Sequence, residues 1–315
     1  MSEEMRPMWD AERLARLAGG EELEPALYVL ATPIGHLGDL TLRAIRLLGE
    51  ADEIWCEDTR VTRKLLSALG LKGRRLHRFD AHSGPGAVAR ILDAVAAGRR
   101  VVLASDAGTP LVSDPGADLV AAAHRRGVRV VPVPGPSALT AALSAAGFGA
   151  PPALFLGFAP ARRGERLQWL GRWADVPATL VIYEAPHRLG AALADMLAVL
   201  GDRPVVLARE LTKRHEEIMP TTLSALFARV RRQPPRGEIV LVVAPPEHAG
   251  ARAAPEPGPD AQAVAAMLRE AAAQHPPARA ARLVALRTGL DRRELYRRLT
   301  AAKKADGEGG DGAPA

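Results

Sequence analysis

Residues 101–138 read VVLASDAGTPLVSDPGADLVAAAHRRGVRVVPVPGPSA. Two apolar runs within it, Val101–Ala104 and Val128–Val131, are rich in β-branched residues and short enough to be buried strands of a parallel sheet. The first breaks off into Ser105-Asp106-Ala107-Gly108-Thr109-Pro110 and then Ser113-Asp114-Pro115-Gly116, the second into Pro132-Val133-Pro134-Gly135-Pro136-Ser137. Glycine lets a backbone approach a ligand, and proline holds a loop open. Crowded together at the carboxyl ends of parallel strands, they describe the crevice of an open α/β sheet.

Working outward, the chain before this stretch repeats the pattern. Ala26–Ala31 is a strand that stops at Thr32-Pro33-Ile34-Gly35-His36-Leu37-Gly38-Asp39, and helical spacing follows over Thr41–Leu48. Glu53–Cys56 is a second strand, leading through Glu57-Asp58-Thr59-Arg60 into a basic helix over Val61–Leu69. A third strand near Leu76–Phe79 precedes a helix over Ala87–Ala96. Five strands alternating with helices predict a parallel, doubly wound domain over residues 26–136.

Beyond it, residues 137–246 read as a second α/β domain. Ala138–Ala161 lacks any charge over a membrane-like length, but six glycines and prolines interrupt it. A spanning helix tolerates no such interruption, so the segment is expected to be a buried helix, a turn and a buried strand. Strands are expected at Thr179–Tyr183, Val205–Ala208 and Ile239–Val243, with helices over Leu189–Leu200 and Leu223–Val230. Residues 1–25 read as a tail and residues 247–260 as a Pro/Ala/Gly-rich linker. An Arg-rich, helix-turn-helix-like module follows over 261–302, with Asp291 as an N-cap, and residues 303–315 have the composition of a disordered tail.

Composition narrows the function. At 315 residues and 48% hydrophobic, the chain has the make-up of a soluble globular protein of two domains. The formal net charge of +6 favours an anionic partner such as nucleic acid. Cys56 is the only cysteine, which excludes a disulfide framework and a multi-cysteine metal site; no ligand spacing implies a metal, and the compartment is expected to be the cytoplasm. The charged N-terminus has no apolar core of a signal peptide, and no membrane partner is expected.

The loop Thr32–Asp39 carries neither GxxxxGK[ST] nor GxGxxG. The three Gly/Pro loops hold no lysine and offer Asp39, Asp106 and Asp114, a set that repels polyphosphate. A cationic or neutral cofactor with ribose hydroxyls suits them, and S-adenosylmethionine is such a molecule.

In their order, TPIGHLGDLTLRA, EDTRVTRKLL, SDAGTPLVSDPG, PGPSAL, LFLGF, YEAPHR, ARELTKRHEE and GEIVLVV resemble the tetrapyrrole methylase superfamily. The likeness is closest to its ribosomal branch, the 16S rRNA cytidine 2′-O-methyltransferases. It runs from about Leu27 to Val243 and, through the Arg-rich module, to about residue 300. The resemblance implies two α/β domains with S-adenosylmethionine in the cleft between them, a homodimer, and 16S rRNA of the small ribosomal subunit as substrate. Carried over by motif, the cofactor contacts are Pro33 and Gly35; Thr109, Pro110, Leu111 and Val112; Ser137 and Ala138; and Leu156, Gly157 and Phe158. Relatives that methylate small molecules have Gly-Asp-Pro where this chain has Gly108-Thr109-Pro110, so one carboxylate contact is lost here.

The residues leave the chemistry open between several groups. A ribose hydroxyl is a poor nucleophile, so positioning is expected to supply most of the rate, with a base adding roughly 10²–10⁴. Glu57, Asp58, Glu184 and His187 are the candidates, and the sequence does not choose among them. Asp58 also reads as an ordinary helix cap. Arg60, Arg63 and Lys64 on one helix, with Arg188 and Lys213, are the candidate RNA contacts, and seven arginines between Arg279 and Arg298 add a basic surface. Two rivals stand beside this reading: a tetrapyrrole or corrin methylase on the same fold, and a non-catalytic ribosomal RNA-binding protein.

Overall fold

The computed structural model describes residues 19, 22–148, 152–246, 261–288 and 292–307. In its first sheet the strands are β1 (Leu27–Leu30), β2 (Glu53–Cys56), β3 (Leu76–Arg78), β4 (Val101–Ala104) and β5 (Val130–Val133), in the order β3-β2-β4-β1-β5. All pairings are parallel. The helices α1 (Leu42–Glu50), α2 (Thr59–Ala68), α3 (Pro85–Ala96) and α4 (Ala117–Arg125) connect them.

Period-two alternation sorts the strands between two cores. Tyr28, Leu30, Ile54 and Val102 share one face with Leu47, Leu48 and Leu66 of α1 and α2. Leu27, Trp55, Val101 and Leu103 share the other with Ile91, Leu92 and Leu119 of α3 and α4. β5 begins two residues later than its β-branched run suggests and includes Pro132, which it tolerates because β5 is an edge strand. Between β4 and β5 the strand order reverses around β1, so the loops after β1, β4 and β5 converge on one switch point.

A second sheet has the order β6-β7-β10-β8-β9, with β6 (Ala153–Phe158), β7 (Thr179–Glu184), β8 (Pro204–Arg209), β9 (Glu217–Thr222) and β10 (Ile239–Val243). It is mixed. Only β6 and β7 run parallel, and the other pairs are antiparallel. The strand β9, EIMPTT, has no apolar alternation to announce it; as an edge strand it accommodates Pro220. β6 was expected to be buried and is instead largely half-exposed, being the opposite edge.

One face of this sheet packs on α6 (Arg163–Gly171), α7 (Pro186–Leu200) and α8 (Leu223–Arg232) through Leu170, Leu180, Ile182, Leu193, Leu226 and Leu241. The other face receives α5 (Ala138–Ala146), through Ala142 and Ala146, together with Ile34 from the loop after β1. Ile34 is 7% exposed and packs beside Leu211, Val206 and Val240, so a side chain of the first domain completes the core of the second. Burial of that size contributes on the order of 1.5–3 kcal/mol.

The chain divides after residue 249 into two compact units. The second comprises α9 (Ala261–Gln274), α10 (Pro277–Thr288) and α11 (Arg292–Gly307), packed on a core of their own from Val264, Leu268, Ala280, Val284, Leu295 and Leu299. It is a three-helix unit where a two-helix hairpin was anticipated. Its last helix extends to Gly307, past the expected end at 302, because Ala301-Ala302-Lys303-Lys304 are good helix formers. The anticipated cap Asp291, the linker 247–260 and most of the N-terminal tail lie outside the described residues. Among the described residues no helix is long and apolar enough to cross a membrane.

Candidate active site

The three loops at the switch point are tied to one another by hydrogen bonds. Thr32 and Gly108 exchange backbone hydrogen bonds of 2.9 and 3.0 Å. The Ser105 hydroxyl donates to the Gly108 carbonyl at 2.8 Å, and the Thr32 hydroxyl to the Ser105 carbonyl at 3.1 Å. Thr109 Oγ1 donates to the Pro136 carbonyl at 3.1 Å, joining the second loop to the third. Gly108 has φ +83° and stands against Ile34, where a Cβ would meet Ile34 Cγ2 at 3.2 Å. Leu111 and Ser113 also hold positive φ, 70° each, so the TPLVSD turn carries backbone strain that the surrounding packing maintains.

Facing these loops across the cleft are Phe158, Tyr183 and Glu184 at the ends of β6 and β7, Ala208 and Leu211, and Gly237–Val240. Together they enclose a cavity of about 350 Å³ whose loop-side wall is Gly108, Thr109, Val112 and Asp114 with Ser137 and Ala138. This size falls in the range of small-molecule sites, and the lining is mostly apolar with a few polar groups. No lysine or arginine lines it. Burial, then repulsion from Glu57 and Asp106, push the Asp114 carboxyl up to about 6. Burial likewise raises Tyr183, opposed by a backbone hydrogen bond at Leu139.

Glu184 is the most deeply buried carboxylate of this wall, 2% exposed. Its Oε1 accepts the Ala185 N–H at 2.8 Å and faces Arg188 Nε at 3.3 Å, while Oε2 has no hydrogen-bond partner. Burial pushes its pKa upward, and the Ala185 amide and Arg188 oppose the shift. Arg188 also donates to the Ala159 carbonyl. Beside it, Arg166 donates to the Pro160 and Ala161 carbonyls at 3.0 Å and pairs with buried Asp195 at 2.6 Å. Two arginines thereby fix the chain leaving Phe158.

A second cavity, of about 320 Å³, shares Ile34, Ala107 and Glu238 with the first. Its wall also includes Thr32, Pro33, Gly35, Leu37, Val61, Thr62, Leu65, Ser105, Asp106 and Lys213.

Among the residues singled out from sequence, the structure brings Thr109, Val112, Ser137, Ala138, Phe158 and Glu184 to the first cavity. Pro33 and Gly35 line the second instead. Gly35 abuts Leu211–Lys213, and the neighbouring His36 amide donates to Thr212 Oγ1 at 3.0 Å, so this loop seats the two domains on each other. Pro110 is buried; Leu111 packs into the first-domain core, and Leu156 into the second-domain core. Gly157, with φ 66°, occupies an irregularity in the pairing of β6 with β7, where a Cβ would approach Ser113 Oγ at 3.4 Å.

The remaining candidates lie around the rim. Asp58 is the N-cap of α2, accepting from the Arg60 amide at 2.8 Å, and its two oxygens also bind the Arg60 guanidinium, which holds the carboxyl at about 2. Arg60, a candidate RNA contact, thus has a partner within the protein while its side chain stays 82% exposed. Glu57 is raised by burial and by Asp106 and Asp80. His187 is exposed on the first turn of α7. Lys213 lies between Glu210 at 2.9 Å and Glu238 at 3.0 Å. Arg63 and Lys64 are exposed and make no ion pair among the described residues. Sequence reasoning gave no site role to Tyr183 or Leu211 and named no role for Asp114 or Asp106 beyond their charge. Their positions at strand ends were the available signal.

A two-lobed α/β cleft of this form defines a class, and the sequence matches the Tetrapyrrole (Corrin/Porphyrin) Methylases over residues 26–227. Residues 258–303 match the RsmI C-terminal HTH domain. A ribosomal RNA small subunit methyltransferase I from Mesorhizobium japonicum is 45% identical, over 92% of this chain and 96% of its own. The proteins of that name from Xylella fastidiosa and Synechocystis sp. are 42% and 40% identical, over 86% and 89% of this chain. The chain therefore belongs to the tetrapyrrole methylases and, within them, to the ribosomal RNA small subunit methyltransferase I family.

Solved structures bear out the fold. A cobalt precorrin-4 methyltransferase superposes with a TM-score of 0.51 at 22% identity, covering 70% of this chain and 94% of its own. Diphthine synthase gives 0.52 at 16% identity, covering 70% and 90%. A uroporphyrin-III C-methyl transferase from Thermus thermophilus, complexed with S-adenyl homocysteine, gives 0.50 at 23%, covering 69% and 96%.

Proposed function

We propose that this chain transfers a methyl group from S-adenosylmethionine to the ribose 2′-oxygen of a cytidine in 16S rRNA of the small ribosomal subunit. The observation that carries the cofactor assignment is the first cavity: apolar, closed by the three switch-point loops, free of lysine and arginine, and walled by Asp114 and by Glu184 with its unpartnered Oε2. A cation with hydroxyls suits that donor set, whereas a polyphosphate does not. The RNA assignment rests on the relatives' names, the matching terminal domain and the net charge of +6.

When bound, S-adenosylmethionine supplies an electrophilic methyl on a sulfonium. Thr109, Val112, Ser137, Ala138 and Phe158 hold it in the first cavity, with Glu184 and the backbone amides around it offering hydrogen bonds. Asp114 places negative charge where a sulfonium is attracted. Much of the work falls to orientation of the acceptor hydroxyl. Arg63 and Lys64, exposed on α2 and without an ion pair among the described residues, and the arginines of α10 and α11 contact RNA phosphates, with Arg60, Arg188 and Lys213 positioning the rim through their carboxylate and carbonyl partners. The protein works in the cytoplasm as a homodimer, its 247–260 segment linking the catalytic body to the terminal module.

Replacing Thr109 by Arg fills the cavity at the strand end. Calorimetric titration is expected to show S-adenosylmethionine binding to the wild-type chain and none to T109R that still melts cooperatively. Equal affinities would remove the cofactor from this cavity.

A further inference from the structure

The second cavity adjoins the first through Ile34, Ala107 and Glu238. Its floor is apolar and open to solvent: Leu37 and Val61 are 43% and 40% exposed, beside Leu65. The helix that provides Val61, Thr62 and Leu65 is α2, which also presents the exposed Arg63 and Lys64, without an ion pair among the described residues. An apolar floor open to solvent matches the face of a nucleobase.

The polar groups of this chamber are mostly engaged. The Thr32 and Ser105 hydroxyls donate to carbonyls, and Lys213 is held by two glutamates. Asp106 differs. Its Oδ1 accepts the Asp58 amide at 3.0 Å, which fixes the carboxylate, while Oδ2 has no hydrogen bond and no cation pairs with it among the described residues.

We propose that this second chamber takes the acceptor nucleotide, its base against Leu37, Val61 and Leu65, and that Asp106 accepts the hydrogen of the 2′-hydroxyl. The assignment rests on the 2′-O-methylation reading above. In the transfer, the 2′-oxygen bonds to the methyl carbon as the carbon–sulfur bond of the donor breaks. The hydroxyl proton passes to Asp106 and from there to water, leaving a neutral thioether and a neutral ether. Asp106 adjoins Ala107, one of three residues common to both chambers with Ile34 and Glu238, so acceptor and donor meet at that shared wall.

Burial raises the Asp106 pKa, with Asp58 adding repulsion and the Asp58 amide and Arg60 opposing. Glu57 and Asp114 face it from the first-domain loops, and Lys213 and Glu238 share its cavity. A raised carboxylate is a better proton acceptor near neutral pH than an ordinary one.

The test uses the full chain, Asp106→Asn, and small subunits reconstituted with 16S rRNA bearing either ribose or 2′-deoxyribose at the methylated nucleotide, mapped beforehand in the wild-type product. Wild-type protein is expected to bind the deoxy particle roughly tenfold more weakly, and D106N to bind both alike. D106N should lower kcat by roughly 10²–10⁴ and abolish the acidic limb of the pH–rate profile, with S-adenosylmethionine affinity unchanged. Retained discrimination, or kcat within about twofold of wild type, would overturn the assignment. So would loss of cofactor binding or of cooperative melting in D106N, which would make Asp106 only a support for the Asp58 loop. A wild-type methyl mapped to a base rather than a ribose would instead refute the reading on which the proposal rests.

Discussion

The backbone of Gly35 lies directly against Lys213: a Cβ at residue 35 would stand 2.4 Å from Lys213 Cγ and 2.8 Å from Thr212 Oγ1. One residue of the first domain thus requires the absence of a side chain for the second to seat. Gly35→Ala is expected to cost about 1–3 kcal/mol, as overpacking does, and to weaken cofactor binding because the cleft is formed by the same seating. Denaturant unfolding together with calorimetry checks both; an unchanged midpoint would mean that the loop yields freely.

Asp195 and Arg166 form a buried pair, their side chains 4% and 5% exposed. Asp195→Ala leaves an uncompensated buried guanidinium and should destabilise the chain by about 3–5 kcal/mol. Arg163 contacts the same carboxylate but is 75% exposed, so Arg163→Ala is expected to cost less than about 1 kcal/mol. Comparable losses in the two variants would show that the buried pair is not the anchor of the chain leaving Phe158.

Asp114 titrates at about 6 in the folded protein against 3.8 as its ordinary value. With the folded value raised, the folded state holds the extra proton between these limits, so the stabilising effect is complete below about 3.8 and disappears as pH rises through 6. Asp114→Asn is therefore expected to match the wild type near pH 4 and to exceed it in stability above pH 6. S-adenosylmethionine affinity should rise through pH 6 in the wild type and stay flat in the variant. Parallel pH–stability curves would contradict the placement of Asp114 in a desolvating wall.

Much of this was legible in the chain. Short continuous β-branched runs such as Val101–Ala104, alternating with helices, pointed to the parallel sheet, and Gly/Pro loops at their ends to the crevice, because both signals are local. β9 was hidden because an edge strand needs no apolar alternation and carries Pro220. The division of the loop residues between two cavities was hidden too, since Pro33 and Thr109 lie in similar turns and only the packing of Ile34 across the cleft separates them. The partner of Arg60 was two residues away, in Asp58, but a cap and a cation contact look alike until the side chains are placed.

The terminal unit has its own core of Val264, Leu268, Val284, Leu295 and Leu299. Truncation after Pro246 is expected to leave a cooperatively melting protein that binds S-adenosylmethionine as before. Its KM for the ribosomal substrate should rise while kcat changes little, the pattern of lost uniform binding. Aggregation of the truncated chain, or a kcat falling in proportion to kcat/KM, would contradict a module that only adds affinity.

The central claim is that this cleft methylates a ribose of 16S rRNA, and product mapping tests it most directly. Small subunits lacking the modification are incubated with the purified chain and methyl-labelled S-adenosylmethionine, and the rRNA is digested to nucleosides and analysed by mass spectrometry. One labelled 2′-O-methylcytidine per particle is expected, absent with T109R. Label on a base, on another nucleoside, or on no rRNA nucleoside at all would contradict it.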